Sequence, residues 1–328
     1  MLSRVANSIY WMTRYVERAE SLARFVDVTL NVMLDQPGDA EGQWAPLVLA
    51  TGDEELFKKR YDSFSPENVQ RFLTFDREYQ GSILSSLSMA RENARTVREA
   101  ISSEAWEVLN EFYLMLKNAA PDRTVAADVE FFTQVKRYGH LLDGVLQSTM
   151  SRDLGWYFAN LGRYIERADK TSRILDVKYF TLLPSPMDID TTLDDLLWSA
   201  VLRSVDAFEM YRKRYHSLTL NRVIDFLVLD PEFPRSIHFC VREARRSLER
   251  IRRPMLTEDD DFSLKLINDI ETQLAAADPQ TIVNNGLHEF IDSLQRDFNL
   301  LGGSLQETYF ARRRSNASGQ MQTQSQSS

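Results

Sequence analysis

Cysteine is almost missing from this chain. One thiol, Cys240, in 328 residues rules out an intrachain disulfide and any zinc site built on several cysteines, and it fits a reducing compartment. Histidine is nearly as scarce. His140, His216, His238 and His288 are widely spaced, with neither the His-x-x-x-His nor the His-Glu-x-x-His pattern that sets two imidazoles on one helix face, so no metal site is expected. Glycine (12) and proline (10) are low. No Gly-rich loop able to cradle a phosphate occurs, and Gly302-Gly303 lies inside a helical pattern where close packing is the simpler reading. No apolar run approaches the roughly 18 residues that a membrane span needs. The N-terminus, Met1-Leu2-Ser3-Arg4-Val5-Ala6-Asn7, lacks the basic and apolar regions of a signal peptide, so a cytoplasmic protein with no membrane association is expected. Lys and Arg number 39 against 48 Asp and Glu, a net charge of −9, which argues against a general nucleic-acid binder.

What is present reads as helix. With 43% hydrophobic residues the chain is long enough to bury one large core or two modest ones. The apolar residues recur at spacings of three and four rather than two, which predicts an all-α fold. At 100° per residue, Ile9, Met12, Tyr15, Val16, Ala19, Leu22, Ala23 and Val26 share one face of the first helix. Asn7, Trp11, Arg14, Glu17, Arg18 and Ser21 share the other, a cationic stripe with one carboxylate and an aromatic ring.

The stripe occurs twice. Arg14-Tyr15-Val16-Glu17-Arg18-Ala19-Glu20 returns as Arg163-Tyr164-Ile165-Glu166-Arg167-Ala168-Asp169, and four further marks follow in the same order. Trp44 and Lys59-Arg60-Tyr61 are answered by Trp198 and Lys213-Arg214-Tyr215. Phe72-Leu73 with Asp76 and Glu78 is answered by Phe226-Leu227 with Asp230 and Glu232. Arg91-Glu92 with Arg95 matches Arg242-Glu243 with Arg246, and Leu141 to Gln147 matches Leu300 to Gln306. These matches predict two tandem, duplicated helical bundles packed together, over residues 1–152 and 153–314, with a disordered Ser- and Gln-rich tail over 315–328. Helices are expected from Ser3 to about Leu34, Trp44 to about Ser63 and through Phe72-Leu73 behind a Ser65-Pro66 cap, with another opening at Ser82-Ile83. Others are expected over Glu104 to Asn118, Asp128 to Met150 and Trp156 to Phe180, the next capped by Asp190 or Thr191 after a turn at Leu183 to Pro186.

Three readings of the charged stripe stand side by side. As a solvated face, Arg14 and Arg18 repel by roughly 0.2 to 0.5 kcal/mol and Glu17 offsets part of this, but such a face has no reason to repeat Arg, Glu and Arg at the same places in both halves. As a structural cluster, each motif helix would meet the Arg91-Glu92-Arg95 or Arg242-Glu243-Arg246 helix of its own half. As a binding face, the same arrangement leaves a surplus of guanidinium groups for a carboxylate or phosphate, which arginine grips bidentately. Elsewhere the chemistry is thin. Cys240 reads as a small core residue, and Glu258-Asp259-Asp260-Asp261 lacks the alternating spacing of a calcium loop and reads as a solvated loop or helix N-terminus.

Through Tyr10 to Glu20 and Glu166 to Tyr179, the sequence resembles the alpha-E family, bacterial all-helical proteins with a Glu-Arg motif, and the likeness extends to about Arg314. That resemblance implies association with circularly permuted ATP-grasp proteins, transglutaminase-like proteases and proteasome-like hydrolases. The expectation is a helical partner subunit of an ATP-grasp-type amide ligase or peptide-processing system, non-catalytic or co-catalytic, without a cofactor and able to form a homo-oligomer. It would bind an anionic substrate group or the ligase through Trp11, Arg14, Glu17, Arg18, Arg91, Glu92 and Arg95 and through Arg163, Glu166, Arg167, Arg242, Glu243 and Arg246. The alternatives are a purely structural or oligomerisation module, and an independent enzyme using Glu17 or Glu166 as acid or base.

Overall fold

The 3.6-residue periodicity becomes fifteen α-helices, with no strand, among the described residues. The computed structural model describes residues 1–35, 40–119, 129–181, 192–252 and 261–311. The chain begins with α1 (Ser3–Asp35), α2 (Ala40–Leu49), α3 (Glu54–Arg60), α4 (Pro66–Phe75) and α5 (Ile83–Arg95). A 3-10 turn at Arg98–Ala100 leads to α6 (Ser103–Ala119) and α7 (Val129–Thr149). Then come α8 (Leu154–Thr181), α9 (Thr192–Ser204), α10 (Phe208–Arg214) and α11 (Leu220–Ile224), which continues into a π-helical turn at Asp225–Leu229. Last are α12 (Ile237–Ile251), α13 (Phe262–Ala276), α14 (Pro279–Asn285) and α15 (Leu287–Leu305), with a second π-helical turn at Gln306–Phe310. No helix among the described residues is long and apolar enough to cross a membrane.

The two motif helices, α1 and α8, form the central pair. α5 and α7 pack on α1, and α12 and α15 on α8. At the crossing, Thr13 Oγ1 donates to the Ala159 carbonyl at 2.7 Å. A Cβ on Gly162 would stand 2.3 Å from the Tyr10 carbonyl oxygen, so glycine is what lets the two backbones meet there. From the crossing both helices run the same way, which brings Glu17 beside Arg167 and Arg18 beside Glu166. Ile9, Met12, Ala19 and Val26 of α1 share one continuous buried core with Leu161, Ile165, Ala168 and Leu175 of α8.

Local chemistry sets the helix starts. Ser65 caps α4 ahead of Pro66, accepting from the Asn68 amide, while Ser82 and Ser236 cap α5 and α12. Each of the latter two hydroxyls also donates to a carbonyl six residues back, that of Asp76 or Asp230. The Asp76 and Asp230 carboxylates in turn accept the amides of Glu78 and Glu232 and pair with Arg60 and Arg214. Counting on from the two serine caps sets Arg91 opposite Arg245, not Arg242 as the motif match has it. The side chains agree: Arg91 Nε donates to Asn110 on α6, and Arg245 Nε pairs with Glu271 on α13.

Other expectations change as well. The single helix from Trp44 to Ser63 is two helices, because the chain turns at Gly52, which has a φ of 77°. Close packing does not account for Gly302-Gly303: a Cβ on Gly302 would come no nearer than 4.0 Å to Arg14 Nη1, and one on Gly303 would have no neighbour within 4 Å. Asp261 caps α13 by accepting from Leu264 N, as a helix N-terminus requires. The rest of its acidic run, the Leu183 to Pro186 turn with its Asp190 or Thr191 cap, Pro121 and the 315–328 tail lie outside the described residues. Ser236→Ala removes both a buried cap and the donor to the Asp230 carbonyl, so it is expected to cost about 1 to 2 kcal/mol in urea unfolding. Ser148→Ala, which removes only an exposed bond to its own helix, is expected to cost under about 0.5 kcal/mol.

Candidate functional site

Each motif glutamate is held by the arginines of the other motif helix. Arg14 Nε donates to Glu166 Oε2 at 2.7 Å and Arg18 Nε to Glu166 Oε1 at 2.6 Å, with Lys170 Nζ 3.6 Å away. On the other side Arg167 grips Glu17 bidentately, at 2.9 and 2.8 Å, and Arg235 Nη1 adds a bond of 3.1 Å. Glu166 is 0% exposed and Glu17 2%. Aromatic rings back the cations: the Arg14 guanidinium lies 4.9 Å from the Trp11 ring and that of Arg18 5.4 Å from Tyr15, contacts that stabilise a desolvated guanidinium.

The electrostatics follow from this enclosure. Burial pushes the Glu17 carboxyl up, but Arg167 and Arg235 outweigh it and hold it at about 2. Burial acts on Glu166 likewise, and Arg18, Arg14 and Lys170 hold it well below the usual carboxylate range. For Arg167 burial works against the charge, yet the Glu17 carboxylate outweighs it and keeps the guanidinium protonated more firmly than usual. The second layer is also ionic. Arg235 Nη2 donates to Glu20 at 2.8 Å; Arg24 pairs with Glu20 and Asp206; Arg173 Nε donates to Asp169 at 3.0 Å; and Lys170 Nζ pairs with Asp169 at 2.9 Å.

Of the thirteen candidate residues, Trp11, Arg14, Glu17, Arg18, Glu166 and Arg167 come together at this cross-over. Arg163 turns away from Glu17 to Asn160 and Asp143. The expected partner helices do not close the cluster. Arg91 and Arg95 bond to Glu92 on the surface of α5, and Arg242 and Arg246 pair with Glu243 on α12. The reason is helical phase: Leu87, Ala90 and Ala94 take the buried face of α5, which turns the charged triplet outward. The sequence reading missed Glu20, Arg24, Asp169, Lys170, Arg173, Asp206 and Arg235. Glu20 and Asp169 close the two repeated stretches and Arg24 and Arg173 follow them at matching places, a signal that was there to find; Arg235 stands opposite a glycine and left none.

A cleft of about 520 Å³ opens beside Glu166, between α1, α8 and the segments before α3 and α5. Arg14, Arg18, Lys170 and Arg173 form one wall, and Asp53, Glu78 and Asp169 also line it. The Tyr79 hydroxyl, whose proton burial and Asp53 hold more firmly than usual, points among them. Cys240 is not part of it: fully buried, its thiol is pushed up to about 12 by burial. Among the described residues no group of three His, Cys, Asp or Glu is placed to hold a metal ion.

Residues 1–310 match the family called Alpha-E, described as "a predicted alpha-helical domain with a conserved ER motif". The chain belongs to the Alpha-E family. In this Alpha-E protein the two Glu-Arg pairs, Glu17-Arg18 and Glu166-Arg167, are the reciprocal clamps between α1 and α8. An uncharacterised protein of Mycobacterium bovis and one of Mycobacterium tuberculosis are each 25% identical to it over 266 residues, 75% of this chain. The matched region makes up 29% of either relative's length. No solved structure matches the chain.

Glu166→Gln leaves buried guanidinium groups short of their counter-charge, so it is expected to cost about 3 to 5 kcal/mol. Glu92→Gln, on the surface, is expected to cost under about 0.5 kcal/mol. Urea unfolding at neutral pH separates the two, and equal effects would contradict the assignment. Because the folded carboxyls titrate below their ordinary value of 4.5, their contribution is complete above that pH. It is lost as the pH falls towards 2. The Tm is therefore expected to drop steeply below about pH 4.5, and the Glu17→Gln variant, already destabilised, to drop less.

Proposed function

We propose that this Alpha-E chain is a helical, non-catalytic or co-catalytic subunit of an ATP-grasp-type amide ligase or a related peptide-processing system, and that its cleft binds an anionic group of the substrate or of the ligase. The observation that carries this reading is the wall of four cations, Arg14, Arg18, Lys170 and Arg173, beside an open cleft. Arginine forks and a lysine point charge on one wall are suited to orienting a carboxylate. Length supports a subunit role too. In the mycobacterial relatives the matched region is 29% of a longer polypeptide, so an Alpha-E-like unit there is joined to further protein. A cytoplasmic setting and association with transglutaminase-like or proteasome-like proteins belong to the same proposal.

A second reading, a purely structural or oligomer-forming module, is favoured by the full enclosure of Glu17 and Glu166. The two readings divide the residues between them: the glutamates hold the helices, and the outward edges of the cations face the cleft. An independent enzyme using Glu17 or Glu166 as acid or base finds little support, since a carboxylate held at about 2 stays ionised at neutral pH and makes a poor proton carrier.

The test pairs the chain with an ATP-grasp-type ligase from the same organism. Co-purification of the two is expected, with ligase activity dependent on this chain. Lys170→Ala with Arg173→Ala is expected to lower that activity by about tenfold or more, the loss of one charged contact or more, while circular dichroism still reports a folded helical protein. Unchanged activity would overturn the proposal.

A further inference from the structure

The two Glu-Arg clusters are built from matching positions but closed differently. On the Glu17 side Arg235, the residue before the Ser236 cap, sends its guanidinium to Glu17 and Glu20 at 3.1 and 2.8 Å. There too Asp206, in a left-handed turn with φ of 50°, gives its carboxylate to Arg24. On the Glu166 side the residue before the Ser82 cap is Gly81. The left-handed residue of the corresponding turn, just before α3, is Gly52, with φ of 77°. So one side carries a guanidinium and a carboxylate where the other has two glycines.

The cleft lies beside those glycines, with the Tyr79 ring filling the space that a Cβ on Gly81 would take. Gly81 is on its wall, and a Cβ built on Gly52 would have Arg173 Nη1 as its nearest neighbour, at 4.0 Å. Arg173 stands on α8 where Arg24 stands on α1. It donates to Asp169 through Nε, as Arg24 donates to Glu20, but among the described residues no turn carboxylate answers the rest of its fork. Asp169 accepts from Lys170 Nζ at 2.9 Å where Glu20 accepts from Arg235, so its charge is answered, while the Asp53 carboxylate on the same cleft does not cap its own helix. The charges in the cleft are nearly balanced: Arg14, Arg18, Lys170 and Arg173 face Asp53, Glu78 and Asp169, with Glu166 behind. A multiply charged anion would be repelled by those carboxylates; a ligand that carries a cation beside its carboxylate would answer both sets of charges.

We propose that the cleft binds a small zwitterion of the amino-acid class, its carboxylate on Arg173 as Asp206 sits on Arg24, and its guanidinium or ammonium group on Asp53, whose carboxylate lines the same cleft. The cleft's volume of about 520 Å³ holds such a molecule, and Leu22, Phe25 and Leu56 give its aliphatic part an apolar floor. This inference rests on the anion-site reading above and names its ligand.

Titration calorimetry on the whole chain tests it with four probes: L-arginine, L-lysine, agmatine, which has the guanidinium without the carboxylate, and inorganic phosphate, which has the anion without the cation. L-arginine or L-lysine is expected to bind at one site, with agmatine and phosphate weaker by about tenfold or more, as when a charged partner is left unanswered. Gly52→Asp places a carboxylate at the position Asp206 holds. It is expected to weaken the amino acid by about tenfold while the Tm stays within a few degrees, since Asp206 adopts the same turn conformation. Phosphate binding as tightly as the amino acid, and lost in Arg173→Ala, would overturn the zwitterion and leave the anion site standing. Agmatine matching L-arginine would overturn the carboxylate half of the inference. Binding of none of the four would overturn both this inference and the reading beneath it.

Discussion

The exchange of carboxylates for guanidinium groups between α1 and α8 is the constraint on which the rest of the structure depends. An unpaired carboxylate in the core costs several kcal/mol even after relaxation, and pairing recovers this only with good geometry. Here Glu17 and Glu166 each receive three or more hydrogen bonds from cations of the opposite helix or of the segment before α12. Neither helix can bury its charged face without the other. That requirement sets the two side by side at the centre of the molecule and leaves α5, α7, α12 and α15 to cover their outer sides.

The same constraint explains why the motif glutamates are better read as structural than as catalytic. A carboxylate locked between guanidinium groups has no freedom to carry a proton, but it fixes those guanidinium groups in place. Their outward edges line the cleft already fixed in place. The glutamates thus lie inside, and the cations stand between them and the cleft.

The helices and the outline of the motif were legible in the sequence, because period, caps and charged runs are local signals. The Ser65-Pro66 and Ser82 caps and the spans of α1, α6, α7 and α8 follow from such signals. The helical wheel put Glu17, Arg14 and Arg18 on one polar face, and the structure keeps them together but turns that face inward. Nothing local says whether a charged stripe meets water or a second stripe of opposite order. The choice of partner helix failed for a related reason: Arg91-Glu92-Arg95 carries the same residue types, and only the burial of Leu87, Ala90 and Ala94 decides that it faces out. Arg235 was hidden more deeply, since its role depends on a segment more than 200 residues from Glu17 coming to rest beside it.

The most direct test of the reciprocal clamp is a double-mutant cycle on Glu17 and Arg167, using Glu17→Gln, Arg167→Gln and the double variant in urea unfolding at neutral pH. Residues in direct charged contact inside a protein couple by about 0.5 to 3 kcal/mol, and a buried bidentate pair belongs in the upper part of that range. A coupling energy of about 1.5 kcal/mol or more is the predicted result. A value under about 0.3 kcal/mol, with the two losses simply adding, would contradict it.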